Sequence, residues 1–168
     1  VTAGAYQETY GGGAQDAVIF SMPPDLESMN WATYLGGTMG EGAFSLRLDA
    51  DDNVYVCGAA QNEFMTMSGY QTTYQGGELD AYVIRLIDDG TAISASSYWG
   101  TTSKDASFFL DLDNDGNVFL YGQSDAGTSE VTPGVYANPG SQQFICKLSP
   151  DLATLGFGTV VGSGSGGV

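Results

Sequence analysis

The chain has 168 residues, 42 % hydrophobic and 12 % aromatic, which suits one domain with a real core and excludes a disordered composition. Four basic residues face twenty acidic ones, a net charge of −16, so a surface that grips nucleic acid or anionic membranes through Lys and Arg is excluded. There is no histidine, which removes His triads, His general bases and the usual catalytic zinc sites, and no apolar run approaches the roughly 18 residues of a membrane-spanning helix.

In chain order, residues 6–13 read YQETYGGG, a loop composition. Asp16-Ala17 opens a β-rich run, Val18-Ile19-Phe20, and Pro23-Pro24-Asp25 marks a turn. A second strand leads to Tyr34-Leu35-Gly36-Gly37. Residues 44–58, FSLRLDADDNVYVCG, place apolar side chains at every second position: Phe44, Leu46, Leu48. Period two is the strand signature. A polar turn and a second apolar run, residues 54–57, make this a β-hairpin that stops at Gly58. The plan then begins again, 64 residues on. YQTTYQGG at 70–77, Asp80-Ala81, Tyr82-Val83-Ile84, Asp88-Asp89-Gly90, Tyr98-Trp99-Gly100 and FFLDLDNDGNVFLYG at 108–122 repeat it without a gap. Between 6–58 and 70–122, 20 of 53 positions are identical, at glycines, turn acids and one strand face. A third copy starts at Thr132-Pro133-Gly134-Val135-Tyr136 and reaches Ser149-Pro150-Asp151-Leu152, but its second hairpin is absent.

The divisions are therefore 1–66, 67–131 and 132–168: about 2.5 repeats of 64 residues, each full one holding two hairpins. The predicted fold is all-β, with β-propeller blades of four antiparallel strands in a partial propeller. A blade covered on both faces accounts for runs such as 54–57, apolar at nearly every position. The predicted core is Phe44, Leu46, Leu48, Val54 and Val56 with Phe108, Leu110, Leu112, Val118 and Leu120. Because a propeller ring needs about four to eight blades, a longer parent chain with further blades is expected; closure by self-association is the alternative. Cys57 and Cys146 read as two buried thiols, with a disulfide as the other option.

The ordered set GAYQETYGGGAQDAVIF, WATYLGG and LDADDNVYVCG resembles the SBBP-type bacterial β-propeller repeat. That family carries a G-x-Y-Q loop, a GG-x-DA-hydrophobic strand, a TYLGG segment and a D-x-x-GNVYVTG hairpin. The likeness covers nearly the whole chain. Asp52 replaces the turn glycine, Cys57 the threonine, and Gln142 the acid of the third copy. The resemblance implies a propeller on a secreted or cell-surface bacterial protein, extracellular in location, and no particular reaction.

Asp111, Asp113 and Asp115, in D-x-D-x-D-G, have the oxygen spacing of a calcium loop, so Ca2+ is the one cofactor expected. The EF-hand glutamate is missing, since Gly122 stands there, and the first copy has Arg47 opposite Asp111. The alternative is a hairpin turn whose Asp and Asn side chains cap backbone N–H groups. Asp16 and Asp80 have the look of paired glycosidase carboxylates, but their equivalence under the repeat favours a strand cap or an inter-blade hydrogen bond. Tyr6, Tyr10, Tyr70, Tyr74 and Tyr136 either stack on sugars or proteins or pack within the fold, and Met65 and Met67 read as gap-fillers. No catalytic residue is assigned. The expected function is a noncatalytic scaffold, adhesin or ligand-binding module meeting protein or glycan at the cell surface, without nucleic acid or membrane insertion. The alternative is the propeller part of a secreted polysaccharide-acting enzyme whose active residues lie elsewhere.

Overall fold

Each alternating or continuous apolar run becomes a strand, and the described residues contain no helix. The computed structural model describes residues 1–65, 68–126 and 130–162. The division at 66/67, Met67 and the glycine-rich end 163–168 lie outside them. The strands are β1 (Ala17–Ser21), β2 (Trp31–Leu35), β3 (Glu41–Leu48), β4 (Val54–Ala60), β5 (Asp80–Leu86), β6 (Ile93–Trp99), β7 (Asp105–Leu112), β8 (Val118–Ser124), β9 (Gln143–Leu148) and β10 (Leu155–Val161). They form three antiparallel sheets, β1-β2, β3-β4-β5-β6 and β7-β8-β9-β10. Each four-stranded sheet joins the second hairpin of one sequence repeat to the first hairpin of the next, through β4–β5 and β8–β9.

The middle sheet is covered on both faces, which is why β4 is buried along its whole length. Val54 and Val56 point to one side and pack with Ile19, Leu35, Tyr82 and Ile84. Tyr55 and Cys57 point to the other and pack with Leu110, Leu120, Phe144 and Leu148. Both cysteines are free thiols buried in this second cluster. The turns lock the sheets together. Trp31 Nε1–H donates to the Asp88 carbonyl at 2.8 Å, and Tyr55 Oη–H donates to the Pro150 carbonyl at 2.8 Å. The Tyr-Gln loops cover the outer edges of β2 and β6: Tyr34 N–H donates to Gln7 C=O at 3.0 Å, and Tyr98 N–H to Gln71 C=O at 2.9 Å.

Four members of the predicted core are not buried. Phe44, Leu46 and Leu48 are 51 %, 48 % and 55 % exposed, and Phe108 is 37 % exposed. Val54, Val56, Leu110, Val118 and Leu120 are buried, and Leu112 is half-buried. For the two phenylalanines the reason is a β-bulge. The register passes from Ala43 to Ser45 and from Ser107 to Phe109, so Phe44 and Phe108 have no cross-strand partner. They turn outward and meet each other at 5.9 Å between ring centroids. For Leu46 and Leu48 the reason is missing cover. β7 lies across β3 and β4, so Leu110 sits on the middle sheet. In the corresponding place β3 meets β1 over a short stretch, and among the described residues β1 pairs with β2 alone.

Candidate functional site

The turn after β7 begins with local geometry. Gly116 takes a left-handed φ of 78°, and Asp113 folds its carboxylate back over the turn. Asp113 Oδ1 accepts from the backbone N–H of Asp115 at 3.0 Å and of Asn117 at 2.9 Å. The Asn117 amide donates to both oxygens at 3.0 Å, and the Lys147 ammonium reaches Oδ2 at 2.9 Å. Lys147 first, then Asn117, hold the Asp113 carboxyl well below the usual carboxylate range. The first copy repeats the arrangement: Asp49 is capped by Asn53 and joined to Arg85 at 2.9 Å. Asp111, meanwhile, pairs with Arg47 at 3.2 Å. Asp111, Asp113 and Asp115 thus stand in three settings: an ion pair, a turn cap and an exposed turn position. Among the described residues no three His, Cys, Asp or Glu side chains converge on one point.

The predicted aromatic residues divide. Tyr70 stacks on Trp99 and Tyr74 meets Tyr98 edge-on, both partly buried. Tyr6, Tyr10 and Tyr136 remain exposed. Met65 is partly buried against the first core cluster. A cleft of about 640 Å³ opens beside β1, floored by Phe20, Trp31, Leu46 and Leu48 and rimmed by Asp52 and Asp88.

Asp16 and Asp80 lie at the strand entrances and turn inward onto their own loops. Asp16 Oδ2 accepts from Gly11 N–H at 2.7 Å, and Asp80 Oδ2 from Gln75 N–H at 2.6 Å. The Asp80 carboxyl presses on the Cα of Gly100, where a Cβ would come within 2.3 Å of Cγ. Each has a second acid beside it. Parallel bridges Gln15↔Gly40 and Leu79↔Lys104 bring Asp16 next to Glu41 and Asp80 next to Asp105. Burial, opposed by the Gln75 N–H and reinforced by Asp105, pushes the Asp80 carboxyl up to about 7. Burial also raises Glu41, with Gly37 N–H opposing and Asp16 adding. Sequence reasoning singled out Asp16 and Asp80 but missed Glu41 and Asp105. The available signal was an acid at both repeat positions that open β3 and β7.

A scan against protein-family models finds none that matches this chain, and a search of the curated proteins finds no match.

Proposed function

We propose that this chain is a noncatalytic segment of a propeller built from this repeat, a scaffold and ligand-binding module of an exported bacterial surface protein. The observation that carries the reading is the difference between Leu110 and Leu46. They hold the same place in the repeat, yet one is 2 % and the other 48 % exposed. What covers Leu110 is the β3-β4 hairpin joined to β5; what would cover Leu46 is a like hairpin joined to the free edge of β1. The outer faces of the stack agree: Phe20 on β1 and Phe109 on β7 are 56 % and 64 % exposed, as surfaces meant for further sheets would be. The occupant we assign is a β-hairpin of the same repeat, supplied by the remaining blades of the parent chain. The noncatalytic reading is supported by the acids at 16 and 80, which repeat the same loop-capping bond in both copies.

A synthetic peptide of residues 105–124, one complete hairpin, tests the assignment. Its binding should slow amide exchange in β1 and quench access to Leu46. Unchanged exchange in β1 at saturating peptide would reject it. Ligands of the assembled module are protein or glycan at the cell surface, and binding to a panel of each class distinguishes them.

A further inference from the structure

Seven buried side-chain polar atoms among the described residues have no hydrogen-bond partner in the protein. One is Arg85 Nε. The other six are oxygens in two groups whose acids, but not whose third members, are repeat equivalents: Asp80 matches Asp16 and Asp105 matches Glu41, whereas Ser124 matches Ala60. Asp80 Oδ1, Asp105 Oδ1 and Ser124 Oγ make one group; Asp16 Oδ1, Glu41 Oε1 and Asn62 Oδ1 make the other.

Topology brings each group together. Asp105 N–H donates to Leu79 C=O at 2.8 Å, so Asp80 and Asp105 lie side by side where β5 and β7 begin. Ser124 is the direct cross-strand partner of Asp105, so their side chains share a face. Asp80, Asp105 and Ser124 are all at most 1 % exposed. In the other group, Glu41 N–H donates to Gln15 C=O at 2.9 Å, which sets Glu41 beside Asp16. Glu41 Oε2 accepts from Gly37 N–H at 2.8 Å, and Asn62 Oδ1 lies 3.5 Å from where a Cβ of Gly37 would be. In both groups the carboxylates use one oxygen on a backbone N–H and leave the other buried and unmatched.

Positive charge from the protein does not reach them. The four basic side chains are Arg47, Arg85, Lys104 and Lys147, and they pair with Asp111, Asp49, Glu78 and Asp113. Two carboxylates buried together without a cation oppose each other and folding. Oxygen-only donor sets with two negative charges suit a hard divalent ion, which accepts carboxylate, hydroxyl, amide and water oxygens alike.

We propose that Asp80, Asp105 and Ser124, and in the preceding repeat Asp16, Glu41 and Asn62, form two divalent-cation sites of the calcium type. Each site staples one sheet to the next, since its two acids come from different sheets. The third copy has Gln142 in place of the first acid, and no corresponding site is assigned there. The inference stands apart from the hairpin reading, because these groups lie at the strand entrances and not on the open face.

Anomalous diffraction from crystals grown with Tb3+ locates the ion directly. Density between Asp80 and Asp105 and between Asp16 and Glu41 supports the proposal. Terbium only at the Asp113 turn, or only between lattice neighbours, overturns it. Calorimetric titration of chelator-treated protein with CaCl2 gives the second readout. Both sites should fill with a rise in melting temperature, and Asp105→Asn and Glu41→Gln should each remove one. Ser124→Ala, which leaves both acids in place, should weaken one site by about ten-fold. No heat and no melting shift at millimolar calcium, or binding undiminished in all three variants, overturns it.

Discussion

Single side chains here take their roles from what the next sheet places over them. Leu110 fills a pocket among Tyr55, Cys57 and Leu120, and its truncation to alanine should cost about 2–5 kcal/mol. Leu46→Ala, at the half-exposed twin position, should change stability by no more than about 0.5 kcal/mol. Urea denaturation of the two variants checks both, and equal losses would mean that Leu46 is covered in solution. Asp113 supplies a pH dependence. Its carboxyl lies below the ordinary value, so its contribution is full above roughly pH 4 and is lost as the pH falls through the folded value. Lys147→Met removes the main cause. The variant should be less stable than the parent at pH 6, and the gap should narrow on acidification. A gap that is constant between pH 6 and pH 2.5 would assign the loss to the contact of Lys147 with the Phe119 ring instead.

The hairpin is the element on which the repeat turns, and two backbone demands shape it. The first lies in its turn. Gly116 and Asp52 hold the same left-handed position, with φ of 78° and 61°. Glycine accepts that conformation freely, whereas aspartate does so at a cost. Asp52→Gly should therefore raise stability by about 0.5–1 kcal/mol, read as a higher denaturation midpoint at unchanged m-value. The second demand lies at the bulge. Opposite each bulge stands a glycine, and a Cβ there would lie 1.8 Å from the Gly42 carbonyl oxygen at Gly58 or 2.2 Å from that of Ala106 at Gly122. Backbone cannot give way as a flexible side chain can. Gly122→Ala should cost about 1–3 kcal/mol or more, and a neutral result would show that the bulge is not held in solution.

At the scale of the whole molecule, three sheets are held face to face by apolar packing and by polar bolts from the turns. The Tyr55 hydroxyl is one such bolt, donating from the middle sheet to the Pro150 carbonyl of the turn between β9 and β10. Tyr55→Phe keeps the ring in the core and leaves that carbonyl without its donor. The expected loss is about 0.5–1.5 kcal/mol, measured by thermal and urea unfolding. The stack also explains the charge distribution. Arg85 and Lys147 serve the turn acids Asp49 and Asp113, while the acids at the strand entrances face one another between sheets. No helix among the described residues is long and apolar enough to cross a membrane.

Much of the fold was legible in the residues themselves. Alternation in 44–48 and 108–112, turn acids and glycines, and the 64-residue echo set the strands, hairpins and all-β class, because those features depend on neighbours in the chain. The turn reading of Asp113 and Asn117 was equally local, since an Asx cap needs only a few residues. What the chain order does not reveal is which sheet a strand joins and what lies on its two faces. Only the tertiary structure joined β4 to β5 across a long loop, left Leu46 open while burying Leu110, and turned Phe44 outward at a bulge. It alone set Glu41 beside Asp16 and Asp105 beside Asp80, 25 positions apart in each case by their numbering. The physical reason is the same throughout: alternation tells a side chain which face of its strand it occupies, and the neighbouring sheet decides whether that face is core, groove or binding site.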